Sequence, residues 1–336
     1  MAFNFFPTNY KPLYDQTRTR GYISRYHKLL SEAIVKNFNA IHIDVPFVSN
    51  VVDSWNAYTS GMRLITFDNK HTSEVNEVMY DIGNYLHHII QSTITNSDSS
   101  IYAYAPLINR DANEELGHSI VTQNFYIELK FIDQENVKQQ ILPTIKNVIG
   151  IIDQINKDIS FVDIGKMLYS HQMMNYVSID EIAKLYPLLS LRAGVNQYVA
   201  TNGPTAVQGL YKTLSNGKQL AKGLPTCDDY ELSTVLFVLN KTTNSVMPIV
   251  KVSPRPNVEL IKKQLILDLP NALQEQIYNK TLFDESKGSS QTMGIQIFFS
   301  NLMLINLHKA HLSEVVHSAW SHEFIKYLKE NKIEVM

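Results

Sequence analysis

The sequence predicts an α+β fold, a central antiparallel β-sheet flanked by helices. Segments with apolar residues at helical spacing lie toward both ends of the chain, and β-rich segments cluster between them. Two of those β-rich segments are joined by a four-residue turn, which imposes antiparallel pairing. The 336 residues are 44% hydrophobic and 18% charged, a globular composition that excludes long disordered or collagen-like tracts. No internal repeat, low-complexity tract or linker divides the chain. One domain over residues 1–336 is therefore expected, with residues 1–12, broken by Pro7 and Pro12, as an irregular arm.

The elements follow in order. Tyr22 to Phe38 carries Ile23, Tyr26, Leu29, Leu30, Ala33 and Ile34 at helical spacing, and Asn39 closes that helix. Ala40 to Val48 reads as a strand and Met62 to Phe67 as a second one. Glu74 to Ile94 predicts a long helix, and Thr95 to Ser100 a loop. Ile101 to Leu107 and Ser119 to Ile132 are β-rich, and Gln134 to Lys157 is helical. Ser178 with Glu181 forms a capping box for a short helix, Ile179 to Leu185, stopped by Pro187. Asn216-Gly217 signals a turn. Glu231 to Asn240 and Val246 to Val252 form a hairpin around Lys241-Thr242-Thr243-Asn244. Asn257 to Leu267 and much of Ile297 to Ala310 are helical. Glu314 to Ser318 predicts a short strand, followed by a last helix ending near Lys329.

Charge and cysteine content narrow the function. Thirty basic residues against 32 acidic ones give a net charge of −2, without the basic surface that nucleic-acid phosphates demand. One cysteine, Cys227, excludes an internal disulfide framework and a cysteine-based zinc site. Neither a signal-peptide core nor an apolar run of membrane-spanning length is present, so a cytoplasmic location is expected.

Motifs for chemistry are sparse. Near Gly203 to Thr213 the text approaches a phosphate loop, but Leu210 and Tyr211 separate Gly209 from Lys212-Thr213, which misplaces the lysine. Nucleophile-elbow, zincin, EF-hand and dinucleotide motifs are missing. His308 and His311 stand three apart on the expected helix but lack a converging third ligand. Asp228-Asp229 could hold a hard cation, although a solvated turn explains them more simply. Lys212, Lys218 and Lys222 read as solvated surface.

Several ungapped stretches nonetheless resemble ammonia-dependent asparagine synthetase, the aspartate–ammonia ligases. These are Val45-Pro46-Phe47-Val48-Ser49-Asn50-Val51-Val52-Asp53 on to Ser60-Gly61, and Arg110-Asp111 through His118-Ser119-Ile120 to Glu128. Tyr186-Pro187, Leu214-Ser215-Asn216-Gly217 through Pro225, and Asp228-Asp229-Tyr230 follow. Thr292-Met293-Gly294 through Ser300, Lys309-Ala310-His311 and Glu314-Val315 to Ala319-Trp320 complete the series, which spans roughly residues 12 to 320. The resemblance implies a class II aminoacyl-tRNA-synthetase-like catalytic domain, a homodimer, and asparagine synthesis through an aspartyl-adenylate.

The departures from the family pattern fall on its functional positions. By that resemblance the aspartate-binding carboxylate falls on Ala57, the lysine of the second helix on Asn84, and the motif 2 arginine on Asn109, beside Arg110. The Gln and Asp of the next strand fall on Asn124 and Tyr126. The acidic, serine and arginine positions of the late hairpin fall on Asn244, Met247 and Lys251, and the terminal arginine of motif 3 on Asn301. Phe298 and Phe299 stand where small residues would leave room for adenine, so a filled nucleotide pocket is expected. Removing one pre-organised charge costs roughly 3–4 kcal/mol of transition-state stabilisation, and here nearly all are replaced at once.

The sequence therefore predicts a catalytically inactive, asparagine-synthetase-like pseudoenzyme. It would act as a dimeric structural or regulatory protein, binding a protein partner or joining a larger assembly, with no metal or cofactor and no nucleic acid. The alternative is a divergent aspartate–ammonia ligase or related ligase using ATP and magnesium through Arg110, Asp228, Asp229 and Lys251. An amino-acid sensor is a third possibility, and the loss at Ala57 argues against it.

Overall fold

Hydrogen-bond pairing organises the described residues around one eight-stranded sheet and one small three-stranded sheet. The structure is a computed structural model that describes residues 6–52, 54–56, 63–92, 99–112, 118–130, 137–159, 174–268 and 292–336. Its strands are β1 (Ala40–His42), β2 (Val48–Asn50), β3 (Thr66–Asp68), β4 (Val75–Val78), β5 (Ser100–Ile108), β6 (Val121–Lys130), β7 (Asn175–Ser178), β8 (Thr205–Gln208), β9 (Thr234–Asn240), β10 (Ser245–Pro254) and β11 (Thr292–Ile297). The helices are α1 (Gln16–Phe38), α2 (Gly83–Ser92), α3 (Val137–Ile159), α4 (Ile179–Leu185), α5 (Leu191–Asn202), α6 (Val258–Asp268), α7 (Phe299–Asn306) and α8 (His322–Glu330).

The large sheet runs β1-β5-β6-β11-β10-β9-β8-β7. Its six inner strands are antiparallel, as the hairpin signal predicts, while β1 on β5 and β7 on β8 add a parallel strand at each edge. Alternation along the strands sorts the side chains between two faces. One face, with Tyr102, Phe125, Ile127, Ile295 and Val252, packs on Tyr26, Leu30, Ile34, Ile145, Val148 and Phe299 from α1, α3 and α7. Each such aliphatic or aromatic side chain contributes about 1.5–3 kcal/mol when fully buried. The opposite face carries the polar residues of the candidate site.

Local chemistry fixes the element ends. Asp15 caps α1 by accepting from the Arg18 N–H at 2.8 Å, and Asn39 ends it in a left-handed conformation (φ 47°). The capping box at Ser178 is formed on both sides, and Asn244 turns the β9–β10 hairpin at φ 55°. Gly217 holds the expected turn at φ 78°, donating to the Leu214 carbonyl.

Several sequence expectations give way. The strand expected over Ala40 to Val48 is two, β1 in the large sheet and β2 in the small one, and the strand expected over Met62 to Phe67 is confined to Thr66–Asp68 among the described residues. Residues 75–78 are strand, not the start of a helix: Glu77 is buried, and its carboxylate accepts from the Ser54 hydroxyl and the Asn56 amide. The Val78 N–H bonds to the Ile65 carbonyl, so the helix begins only at Gly83, whose N–H is taken by Asp81 at 2.7 Å. The stretch from Glu314 is no strand. The Glu314 carboxylate accepts from the Ala310 and His311 N–H groups and from the Tyr10 hydroxyl, which draws Leu312–Glu314 into a 3₁₀ turn. The helix expected from Ile297 begins at Phe299 and ends at Asn306; His308 is left-handed (φ 51°), so His308 and His311 share no helical face. The sequence also gave no sign of β7, α5 or β11.

The two ends of the chain interlock. Tyr10 meets Glu314, the buried Lys309 ammonium donates to the Tyr14 carbonyl at 2.8 Å, and Gln16 bonds to Glu334. No helix among the described residues is long and apolar enough to cross a membrane.

Ser178→Ala removes one half of the capping box and is expected to cost about 1 kcal/mol, read as a lower urea midpoint at unchanged slope.

Candidate functional site

Every second residue on three inner strands faces away from the main core, and these residues build the site. The strand register sets Tyr126 opposite Gln296, and Gln296 opposite Lys251, in one row. The next row sets Glu128 opposite Gly294, and Gly294 opposite Ser253. A sheet face with Tyr, Gln, Lys, Glu and Ser in adjacent rows is not a packing surface by choice of residue. Its polar groups must be satisfied locally.

They are satisfied by one another. Arg255 binds the buried Glu128 carboxylate through Nε (2.9 and 3.1 Å) and a second nitrogen (2.5 Å), and donates to the Cys227 carbonyl at 2.7 Å. The Thr292 hydroxyl adds a 2.6 Å bond to Glu128, and His87 Nδ1 lies 3.4 Å from it. Burial by itself would raise the Glu128 pKa, but the Arg255 charge and hydrogen bonds bring it down to about 2. Gly294 makes the arrangement possible: a Cβ there would stand 2.5 Å from one Arg255 nitrogen and 2.7 Å from the guanidinium carbon.

Beside this pair, Lys251 Nζ lies 3.0 and 3.3 Å from the two oxygens of the fully buried Asp228, and 5.8 Å from the Tyr211 ring centre. Burial opposes the ammonium charge, yet Asp228, Tyr211 and Asp81 together hold it above the ordinary lysine range. The Cys227 thiol donates to Asn84 Oδ1 at 2.9 Å, and the Asn84 amide donates to the Thr226 hydroxyl at 3.0 Å. Burial pushes the thiol well above its usual range, which leaves it inert. The space left among Asp81, Tyr126, Asp228, Lys251 and Arg255 is about 10 Å³, at most room for one water.

A second, open compartment adjoins it, a cleft of about 960 Å³. Leu64, Ile65, Val78, Met247, Pro248 and Phe298 supply apolar wall, and Arg63, Arg110, Arg192 and His118 bring cationic or titratable groups. Arg63 is paired with Asp111, and Arg110 donates to the Leu64 carbonyl at 2.9 Å. Gln296 lines both compartments, and its amide donates to the Tyr126 hydroxyl at 2.9 Å. Those two side chains form the partition between the cleft and the charged cluster.

An aspartate-ammonia ligase sequence profile matches residues 17–332. The chain belongs to the aspartate–ammonia ligase family. Its relatives include the aspartate–ammonia ligase of Clostridium tetani, 23% identical over 337 residues, covering 98% of this chain and 97% of that protein. The ligase of Malacoplasma penetrans is 23% identical over 238 residues, 70% of this chain and 72% of that one. Among solved structures, the asparaginyl-tRNA synthetase of Entamoeba histolytica with asparaginyl-adenylate is similar at TM-score 0.65 and 13% identity, over 91% of this chain and 68% of that chain. The Pyrococcus horikoshii enzyme with the same adenylate gives TM-score 0.63 and 11% identity, over 90% and 68%. The fold is thus that of the class II synthetases.

The positions singled out from the sequence separate between the two compartments. Asn109, Arg110, Asn124, Met247 and Asn301 line the cleft. Asn84, Tyr126, Asp228 and Lys251 belong to the buried cluster. Two others stand apart: Asn244 is in the hairpin turn, and Asp229 accepts from the Glu231 and Leu232 N–H groups of its own turn. Ala57 lies outside the described residues. Asp228 is no solvated turn residue but the partner of Lys251, and Lys212 is no free surface cation, since it bridges Asp180 and Glu231. The aromatic pair divides where β11 gives way to α7, with Phe298 at the helix cap and Phe299 as its first residue. Phe298 lines the cleft, whereas Phe299 points to the other side and packs on Tyr104 and Phe125, so the cleft stays open. Sequence reasoning missed Arg255, Asp81 and Gly294; the one available signal was an arginine just past a predicted strand, with Glu128 at the end of another.

Glu128→Gln leaves the buried Arg255 charge uncompensated and is expected to cost about 3–5 kcal/mol. The carboxyl pKa is depressed in the folded state, so its contribution is complete above about pH 4.5 and is lost as pH falls toward 2. Urea titrations from pH 7 to pH 2 will show that acid slope in the parent protein, and Glu128→Gln will lack it.

Proposed function

We propose that this member of the aspartate–ammonia ligase family is a catalytically inactive, dimeric protein of the cytoplasm. In this reading it keeps the synthetase-like scaffold as one domain and works by binding another protein, as a regulator or a component of an assembly. The observation that carries the proposal is the closure of the charged compartment. A cavity of about 10 Å³ admits no amino acid, and its cations, Lys251 and Arg255, are already engaged by Asp228 and Glu128. Opening it would strip counter-charges from buried carboxylates, at several kcal/mol each. The cleft next to it presents asparagines and a methionine at Asn109, Asn124, Asn301 and Met247, which offer a triphosphate no formal charge.

A second reading, a divergent ligase, draws support from the open cleft itself. Arg110 and Arg192 stand in its wall, and the Ser119 hydroxyl and Asn196 side-chain oxygen, also in its lining, are buried without a hydrogen-bond partner. Buried polar atoms left unpaired are places where a ligand gains. Magnesium fits the described lining poorly. Asp111 is the one carboxylate there and is tied to Arg63, and no group of three or more His, Cys, Asp or Glu able to hold a metal occurs among the described residues.

Titration calorimetry with ATP, magnesium and aspartate separates the two. The pseudoenzyme reading expects no heat of aspartate binding and neither asparagine nor pyrophosphate after incubation with ammonia. Micromolar nucleotide binding with formation of both products would overturn it.

A further inference from the structure

The buried lysine of the sheet face is surrounded as a bound ligand would be. Its ammonium meets both oxygens of Asp228 at 3.0 and 3.3 Å, stands 5.8 Å from the centre of the Tyr211 ring, and shares its small cavity with Asp81. Two carboxylates and an aromatic face are a receptor for a primary ammonium ion. Glu128 and Arg255 neutralise each other next door, so among the described residues Lys251 is the cation left for Asp228 and Asp81. The side chain reaches this box from β10, where its backbone pairs with Gln296 and Val235; the box itself is built by other segments, at 81, 211 and 228. Receptor and occupant are therefore separable parts of the chain.

We propose that residues Asp81, Tyr211 and Asp228 form a binding site for primary alkylammonium ions, and that Lys251 is its tethered occupant. The site is self-filled, and an external amine is kept out by a residue rather than by lack of recognition. This goes beyond the reading of the protein as inactive and holds whether or not the cleft turns over a substrate.

The test empties the box and offers it back what was removed. Lys251→Ala keeps Cβ and deletes three carbons and the nitrogen, the outline of n-propylammonium. In the full-length variant, 100 mM propylammonium chloride is expected to raise the thermal midpoint by about 3–5 °C over the same concentration of sodium chloride. Neutral 1-propanol lacks the charge and tetramethylammonium is too bulky and has no N–H donor, so neither should do so. Lys251→Met fills the space without the charge and should gain less than 1 °C from any of them, on the order of the measurement scatter. If Lys251→Ala fails to fold alone, its soluble yield on refolding with propylammonium becomes the readout, with propanol and tetramethylammonium again as controls. Equal stabilisation by all three compounds, an equal gain in Lys251→Met, or no gain from propylammonium in either readout would overturn the proposal.

Discussion

The contact between Glu128 and Arg255 is the constraint to which most of the site conforms. A guanidinium buried under a sheet needs a carboxylate in bidentate reach, because removing either charge leaves the other stranded in low dielectric. Everything near the pair is shaped by that need. Gly294 gives up a side chain so that the guanidinium can lie across β11. Gly83 begins α2 where a Cβ would come within 3.1 Å of an Arg255 nitrogen and 3.0 Å of the Cys227 sulfur. The Cys227 carbonyl is held by Arg255, which fixes the loop that carries Asp228 to Lys251. One ion pair thus sets the position of a helix start, a strand and an acidic loop.

The same contact explains how a chain of ordinary composition comes to have an unusual site. The net charge of −2 says nothing of where charges lie. Behind the Tyr126–Gln296 partition two ion pairs, Glu128–Arg255 and Asp228–Lys251, stand beside a further carboxyl at Asp81, while the larger compartment in front keeps apolar wall and a few arginines. Family membership and fold carry over from the relatives; what the site does is decided by these side chains.

Much of the architecture was legible because it rests on local signals. The Ser178 box, the Asn244 turn, the close of α1 at Asn39 and the span of α6 are each set by one or two residues and their neighbours in sequence, whereas α1 starts six residues before the expected Tyr22. Misassignments came where a distant partner decides. Residues 75–78 have apolar spacing compatible with a helix, and only Ser54, Asn56 and the flanking strands make them a strand. Glu314 follows a β-like pattern until Tyr10, 304 residues away, claims its carboxylate. The site was half legible. Asn109, Asn124, Met247 and Asn301 line one cleft, but of the aromatic pair only Phe298 reaches it, because β11 has ended at Ile297 and Phe299 opens the helix that packs on the other side. The roles of Arg255 and Gly294 were not read from the sequence because they exist only across the sheet.

The interlock between the ends of the chain bears on how the protein is made. Helix α1 is made some 300 residues before the segments that latch it, since Tyr10, Tyr14 and Gln16 find their partners at Glu314, Lys309 and Glu334. Likewise β6 waits for β11, some 160 residues later, before its second edge is paired. Loop closure over such distances delays the contacts that reward it. During synthesis the amino-terminal half therefore presents an unpaired inner strand and an unlatched helix for tens of seconds at ordinary elongation rates of roughly 5–20 residues per second. Until β11 is made, β6 offers one unpaired edge, and pairing with a strand of another chain is the competing outcome.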